Sequence, residues 1–142
     1  MAAHQLFDNA NNLFDNKKYF RSHVMYMAAI KQCPPDDNKF LSQIYTKLSV
    51  TQFAMQKVDE SIQSATKAIQ TDPTNSQSYF QRASIFESSQ NWRDALRDYQ
   101  LSLKNDPDNE TCKEKIKFVE EKIEEHKQNS MNNSVEGENE PI

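Results

Sequence analysis

A chain of 142 residues has room for one domain, and its 17 Lys and Arg against 21 Asp and Glu leave a net charge of -4. A single Gly argues against hairpin-rich sheets and Gly-rich phosphate loops, which leaves helices. The charges are spread along the chain with no basic stripe, which speaks against nucleic-acid binding, because that affinity comes mostly from neutralised phosphates.

Taken in chain order, apolar spacing and breakers predict helices over 3–15, 18–31, 39–55, 58–71, 76–89, 92–105 and 109–127. Pro34, Pro73 and Pro107 stop the second, fourth and sixth, because proline lacks the amide and clashes with the preceding turn. In the seventh, Cys112, Ile116, Val119 and Ile123 form one narrow apolar face among Glu and Lys. That face suits a terminal cap covering what precedes it; a short coiled-coil seam is the other reading. Beyond Lys127, "QNSMNNSVEGENEPI" offers little to bury, so residues 128–142 are expected to be disordered.

The prolines also measure a repeat. Asp72-Pro73 recurs as Asp106-Pro107, 34 residues on, while Cys33-Pro34 stands 39 before Pro73, so the first copy needs five extra residues after it. Aligned so, the copies are 3–36, 42–75 and 76–109, with the insert "DNKFL" at 37–41. Small residues recur at three places: Ala10, Ser49 and Ala83 at the eighth; Ser22, Ser61 and Ala95 at the twentieth; Ala29, Ala68 and Ser102 at the twenty-seventh. Two antiparallel helices approach closely only where the crossing side chains are small. Large residues agree too: Leu6, Tyr45 and Tyr79 at the fourth place, and Tyr19, Val58 and Trp92 at the seventeenth.

In these positions the chain resembles the tetratricopeptide repeat (TPR) family, over about residues 3–127. "SYFQRASIFESSQNWRDALRDYQLSLKNDPDN" is the best single copy, and the other two stay in register. The resemblance implies an all-α right-handed superhelix of three antiparallel helix pairs plus a capping helix. The chain departs from the family at the seventh place, where Asn9 and Arg82 replace a common Leu, and at Gln52, where an apolar residue is usual. The Gly of the turn inside each pair is also missing; Asn16 and Gln90-Asn91 are expected to make two of those turns. The insert and the third copy are similar to TPR segments of J-domain co-chaperones, but without a His-Pro-Asp tripeptide no J-domain activity is expected.

No catalytic constellation is visible. His4, His23 and His126 share no ligand spacing with Cys33 and Cys112, and no P-loop, nucleophile elbow or H-E-x-x-H occurs. The expectation is a non-enzyme with no metal and no cofactor. The N-terminus lacks a basic region followed by an apolar stretch, the apolar runs are too short to span a bilayer, and two distant cysteines read as free thiols. A monomer in the cytoplasm is expected, with the nucleus as the other compartment and neither membrane nor nucleic acid as partner.

By resemblance, the first helix of each pair lines a concave groove that holds a segment of a partner protein. The groove positions chosen are Phe7, Asn11, Phe14, Lys47, Val50, Phe53, Gln77, Phe80 and Gln81; aromatic anchors ringed by polar groups suit peptide recognition. In TPR co-chaperones a carboxylate clamp of Lys, Asn, Asn, Lys and Arg grips acidic chaperone tails. Here those places hold Phe7, Asn11, Lys47, Gln77 and Gln81, so only Asn11 matches. The expected function is a non-catalytic protein-binding adaptor, co-chaperone-like in setting. A degenerate clamp for acidic chaperone tails is the alternative, and a helical-repeat RNA binder is the remote one.

Overall fold

The breakers act where the sequence puts them. A computed structural model describes residues 2–138, with the side chains of 2–133. Among the described residues the chain forms helices α1 (Ala3–Asp15), α2 (Tyr19–Gln32), α3 (Asn38–Ala54), α4 (Val58–Thr71), α5 (Ser76–Ser88), α6 (Trp92–Asn105) and α7 (Glu110–Glu138). Consecutive helices pack on one another, and α3 also touches α5, so three hairpins stack along one axis.

Small residues sit at every hairpin crossing. Ala10 and Ser22, Ser49 and Ser61, and Ala83 and Ala95 are all fully buried, as are Ala29 and Ala68. Close approach lets serine hydroxyls reach the backbone of the opposite helix. Ser22 Oγ donates to the Ala10 carbonyl at 2.9 Å and Ser49 Oγ to that of Ser61 at 2.7 Å. At the other end of the hairpins Ser42 Oγ donates to Ala68 O at 2.7 Å and Ser102 Oγ to Ser76 O at 2.9 Å. A buried hydroxyl without a partner would be costly; these have partners only because the neighbouring position is small.

The turn inside each pair has one geometry. Lys17, Gln56 and Gln90 stand at its fifteenth place with φ of 60°, 64° and 60°. Each is followed by an amide that bonds back across the helix end: Lys18 to Leu13 at 2.8 Å, Lys57 to Gln52 at 2.9 Å and Asn91 to Phe86 at 2.8 Å. This is the Schellman closure that usually takes glycine in the left-handed position. Asn16 and Gln90-Asn91 were the turn residues read from the sequence. Asn16 caps α1 in the turn, and the left-handed residue there is Lys17.

Between pairs, an aspartate ends one helix and an asparagine starts the next. Asp72 Oδ1 accepts from the Thr74 amide and hydroxyl, and Asn75 Oδ1 caps α5 through the Gln77 amide at 3.2 Å. Asn109 Oδ1 does the same for α7 through Cys112 N at 3.0 Å. The first junction uses its insert: Asp37 Oδ1 accepts from Phe40 N at 3.2 Å and starts α3 early.

The apolar stripe of α7 is spent inside the chain. Cys112 and Val119 are fully buried, and Ile116 and Ile123 pack on the same cluster as Ala83, Ala95 and Tyr99. The expected disordered segment needs correction over 128–138, because α7 runs on to Glu138. Nothing between Glu110 and Glu136 is proline or glycine, so no breaker ends the helix when its apolar face does. Residues 139–142 lie outside the described residues.

Candidate functional site

Helices α3 and α5 pack against one another. A cavity of about 450 Å³ opens there, lined by Lys47 and Val50 of α3 and by Gln77, Phe80 and Gln81 of α5. Asp106 and Asn109, from the loop between α6 and α7, close its end. Five of the chosen groove residues thus share one cavity. Its cation is Lys47 and its acid is Asp106, with amides and hydroxyls between them.

The other four chosen residues do not line it. Phe7 is half-buried, tilted against Tyr26 with centroids 5.8 Å apart and edge-on to Phe40 at 5.4 Å. Phe14 packs on Tyr19 at 5.3 Å, and Phe53 is half-buried on α3. Asn11 Oδ1 accepts a hydrogen bond from the Tyr26 hydroxyl. Burial pushes that phenol up to about 12, so it stays a donor at physiological pH. Phe80 is the one groove ring of the set that reaches the cavity, and it is also braced, edge-on to Tyr99 at 5.2 Å.

Two polar residues at apolar places have buried partners. Arg82 forms a bidentate pair with Asp98 across α5 and α6, at 2.7 and 2.9 Å, and reaches Thr66 of α4 at 3.2 Å. Asp98 is fully buried. Gln52 accepts at 2.6 Å from Ser64 of α4. Glu87 of α5 accepts from Tyr99 at 3.0 Å and from Lys115 of α7 at 3.3 Å, so the capping helix neutralises it.

Sequence reasoning had not singled out Phe40. It lies in the insert, is almost fully buried, and stacks on His4 with centroids 3.8 Å apart and planes 7° from parallel. Phe40, supplied by the five extra residues, completes a cluster of rings at the first junction with His4, Phe7 and Tyr26.

No family model matches the chain. It is 28% identical over 107 residues to the DnaJ homolog subfamily C member 7 homolog of Dictyostelium discoideum, covering 75% of this chain and 20% of that protein. It is 30% identical over 118 residues to Hsp70-Hsp90 organizing protein 1 of Glycine max, covering 82% of this chain and 19% of that one. The chain therefore spans about a fifth of the length of these two relatives. Among solved structures it overlays the first TPR of Spaghetti (RPAP3) bound to HSP90 peptide SRMEEVD, with a TM-score of 0.76 at 17% identity, covering 85% of this chain and 92% of that one. The fold is a tetratricopeptide-repeat fold.

The cavity between α3 and α5 takes in five of the positions that the resemblance assigns to a groove. A larger cavity, of about 570 Å³, lies elsewhere, between the start of α6 and the distal part of α7. Trp92, Ile123, His126 and Met131 are among its walls. It is a gap beneath a helix that outruns the TPR body, with residues 124–133 exposed. The smaller cavity is bounded by packed helices and is the better-formed site. Among the described residues no group of three His, Cys, Asp or Glu is placed to hold a metal, and no helix is long and apolar enough to cross a membrane.

Proposed function

We propose that this chain is a non-catalytic TPR adaptor whose inner cavity holds an extended segment of a partner protein, in a co-chaperone-like setting. The observation that carries the reading is the convergence of Lys47, Val50, Gln77, Phe80 and Gln81 on one cavity. An apolar floor of Val50 and Phe80 under glutamine amides reads a side chain and the neighbouring peptide groups together. Similarity to co-chaperones and to a TPR domain bound to a chaperone peptide supports the setting.

The same residues argue against the clamp. A carboxylate needs fixed cationic donors, and the places that would supply them hold Phe7, Gln77 and Gln81, while Asn11 is engaged by Tyr26. Lys47 alone faces the cavity, opposite Asp106. Recognition then depends on apolar and amide contacts more than on terminal charge.

The test is NMR titration of labelled protein with two peptides: SRMEEVD, and a neutral peptide with a central Leu and amidated C-terminus. The neutral peptide is expected to shift Val50, Gln77 and Gln81 and to lose its effect in Val50→Asp. Tight binding of SRMEEVD that is salt-sensitive and lost in Lys47→Ala would establish a clamp instead. No shift in these residues with either peptide would remove the groove reading.

A further inference from the structure

The second helices differ on their outer face in a way the register makes plain. On α2, Phe20 is 68% exposed, and Val24 and Met27 are each 49% exposed. They stand at i, i+4 and i+7, so they form one stripe about 10 Å long. The buried residues of α2, namely Ser22, Tyr26 and Ala29, lie on its other side. At the corresponding places α4 carries Asp59, Gln63 and Thr66, and α6 carries Arg93, Arg97 and Gln100. The fold therefore does not require apolar residues there; the first repeat alone has them. Scattered surface apolar residues are ordinary, but three in line on a helix are a patch.

Charge selects what could cover it. From Asn16 to Pro35 there is no Asp or Glu, in a chain of net charge -4. Lys17, Lys18, Arg21 and Lys31 are all exposed in that stretch. None of them belongs to a salt bridge among the described residues. By helical spacing Lys31 continues the stripe at one end, Lys17 stands at the other, and Arg21 flanks it. A second copy of this chain would set these cations against one another. A flat anionic bilayer would also cover Glu60 of α4, which is exposed and close enough to α2 to act on His23, whereas a single helix laid along Phe20, Val24 and Met27 is narrower.

We propose that the outer face of α2 docks an acidic amphipathic helix of a partner protein. Its apolar side seats on Phe20, Val24 and Met27, and its carboxylates reach Lys17, Arg21 and Lys31. This surface is separate from the inner cavity, so the chain joins two protein segments at once.

The probe is a synthetic 18-residue helical peptide with Leu at i, i+4, i+7 and i+11 and Glu on both flanks, used with the full chain. It is expected to shift the amides of residues 17–31 and to leave those of Val50, Gln77 and Gln81 unmoved. Val24→Asp, in a chain whose melting curve is unchanged, is expected to weaken it by about tenfold or more. A version with Gln for every Glu is expected to bind several-fold more weakly. Equal binding of the Gln version would reduce the patch to general stickiness and overturn the proposal. So would shifts confined to the inner cavity, an absence of shifts, Val24-dependent binding to phosphatidylserine vesicles without peptide binding, or a dimer abolished by Val24→Asp. Inner-cavity peptide binding should be unaltered in Val24→Asp, so this proposal and the groove reading fail separately.

Discussion

In the third repeat, α5 and α6 are tied by a bidentate ion pair, Arg82 to a fully buried Asp98, with Thr66 of the preceding repeat as a third partner. In the first repeat, the corresponding places hold Asn9 and Met25, and rings cross the hairpin: Phe7 of α1 against Tyr26 of α2 and Phe14 against Tyr19, with Phe40 of α3 packed on His4 and Phe7. The backbone turn between the two helices is the same in both, down to the left-handed residue. One hairpin geometry is thus reached by directional, charged contacts in one place and by apolar area in another. The comparison separates what the fold demands from what it merely accepts. Small crossing residues and the turn are demanded, while the chemistry of the seventh place is accepted.

The largest expected effect comes from breaking each device. Asp98→Ala leaves Arg82, its side chain only 18% exposed, without its partner and should cost about 3–5 kcal/mol in urea unfolding. Replacing both members, Arg82→Met with Asp98→Leu, should recover most of it, because the pair's cost is mainly that of orphaning one charge. Phe40→Ala should cost a similar ~3–5 kcal/mol by loss of apolar contacts and the cavity left behind, with no charge to rescue. A double replacement as costly as Asp98→Ala would mean that the ion pair is itself a net stabiliser.

A middle-sized effect tests what the repeats share. Ala83→Phe should overpack the α5–α6 crossing by about 1–3 kcal/mol. Ala10→Phe should cost more, because pushing α2 away also strands the Ser22 hydroxyl that bonds to the Ala10 carbonyl. Unchanged melting midpoints in both variants would mean the crossing register is wrong. The smallest effect has the opposite sign. Lys17→Gly and Gln90→Gly should each raise stability by about 0.5–1 kcal/mol, since glycine occupies φ of 60° without the Cβ clash. Equal gains are expected because the two turns are alike; a gain in one repeat only would show that the turns differ in the unfolded chain.

Much of the scaffold was legible because its signals are local. Proline, the aspartate and asparagine around it, and small residues at fixed spacing act within a few positions, and six helices begin and end within about two residues of the sequence reading. The seventh was misjudged in length because a helix with no apolar face leaves no periodic trace. The site was less legible. Phe7, Phe14 and Phe80 all stood at groove places, but which ring opens to solvent depends on partners elsewhere in the chain, such as Phe40 for Phe7 and Tyr19 for Phe14. Arg82 looked like a flaw for the same reason, since Asp98 is sixteen residues away and meets it only after the hairpin closes. The insert showed in the sequence only as five extra residues, because the stacking of its Phe40 depends on His4, far back in α1.

Asn75 does two jobs with one side chain. Its oxygen starts α5, and its Nδ2 donates to the Ser42 hydroxyl of the repeat before at 2.9 Å. That hydroxyl in turn donates to the carbonyl of Ala68. In the language of one-dimensional cooperative chains, a residue of this kind enters both the intrinsic term of its own repeat and the coupling to its neighbour. Its removal would lower both, and a single sharp unfolding step would broaden toward two. A repeat stack behaves as one unit only while its units hand such bonds to each other, and here the relay passes through an amide no larger than the turn that carries it.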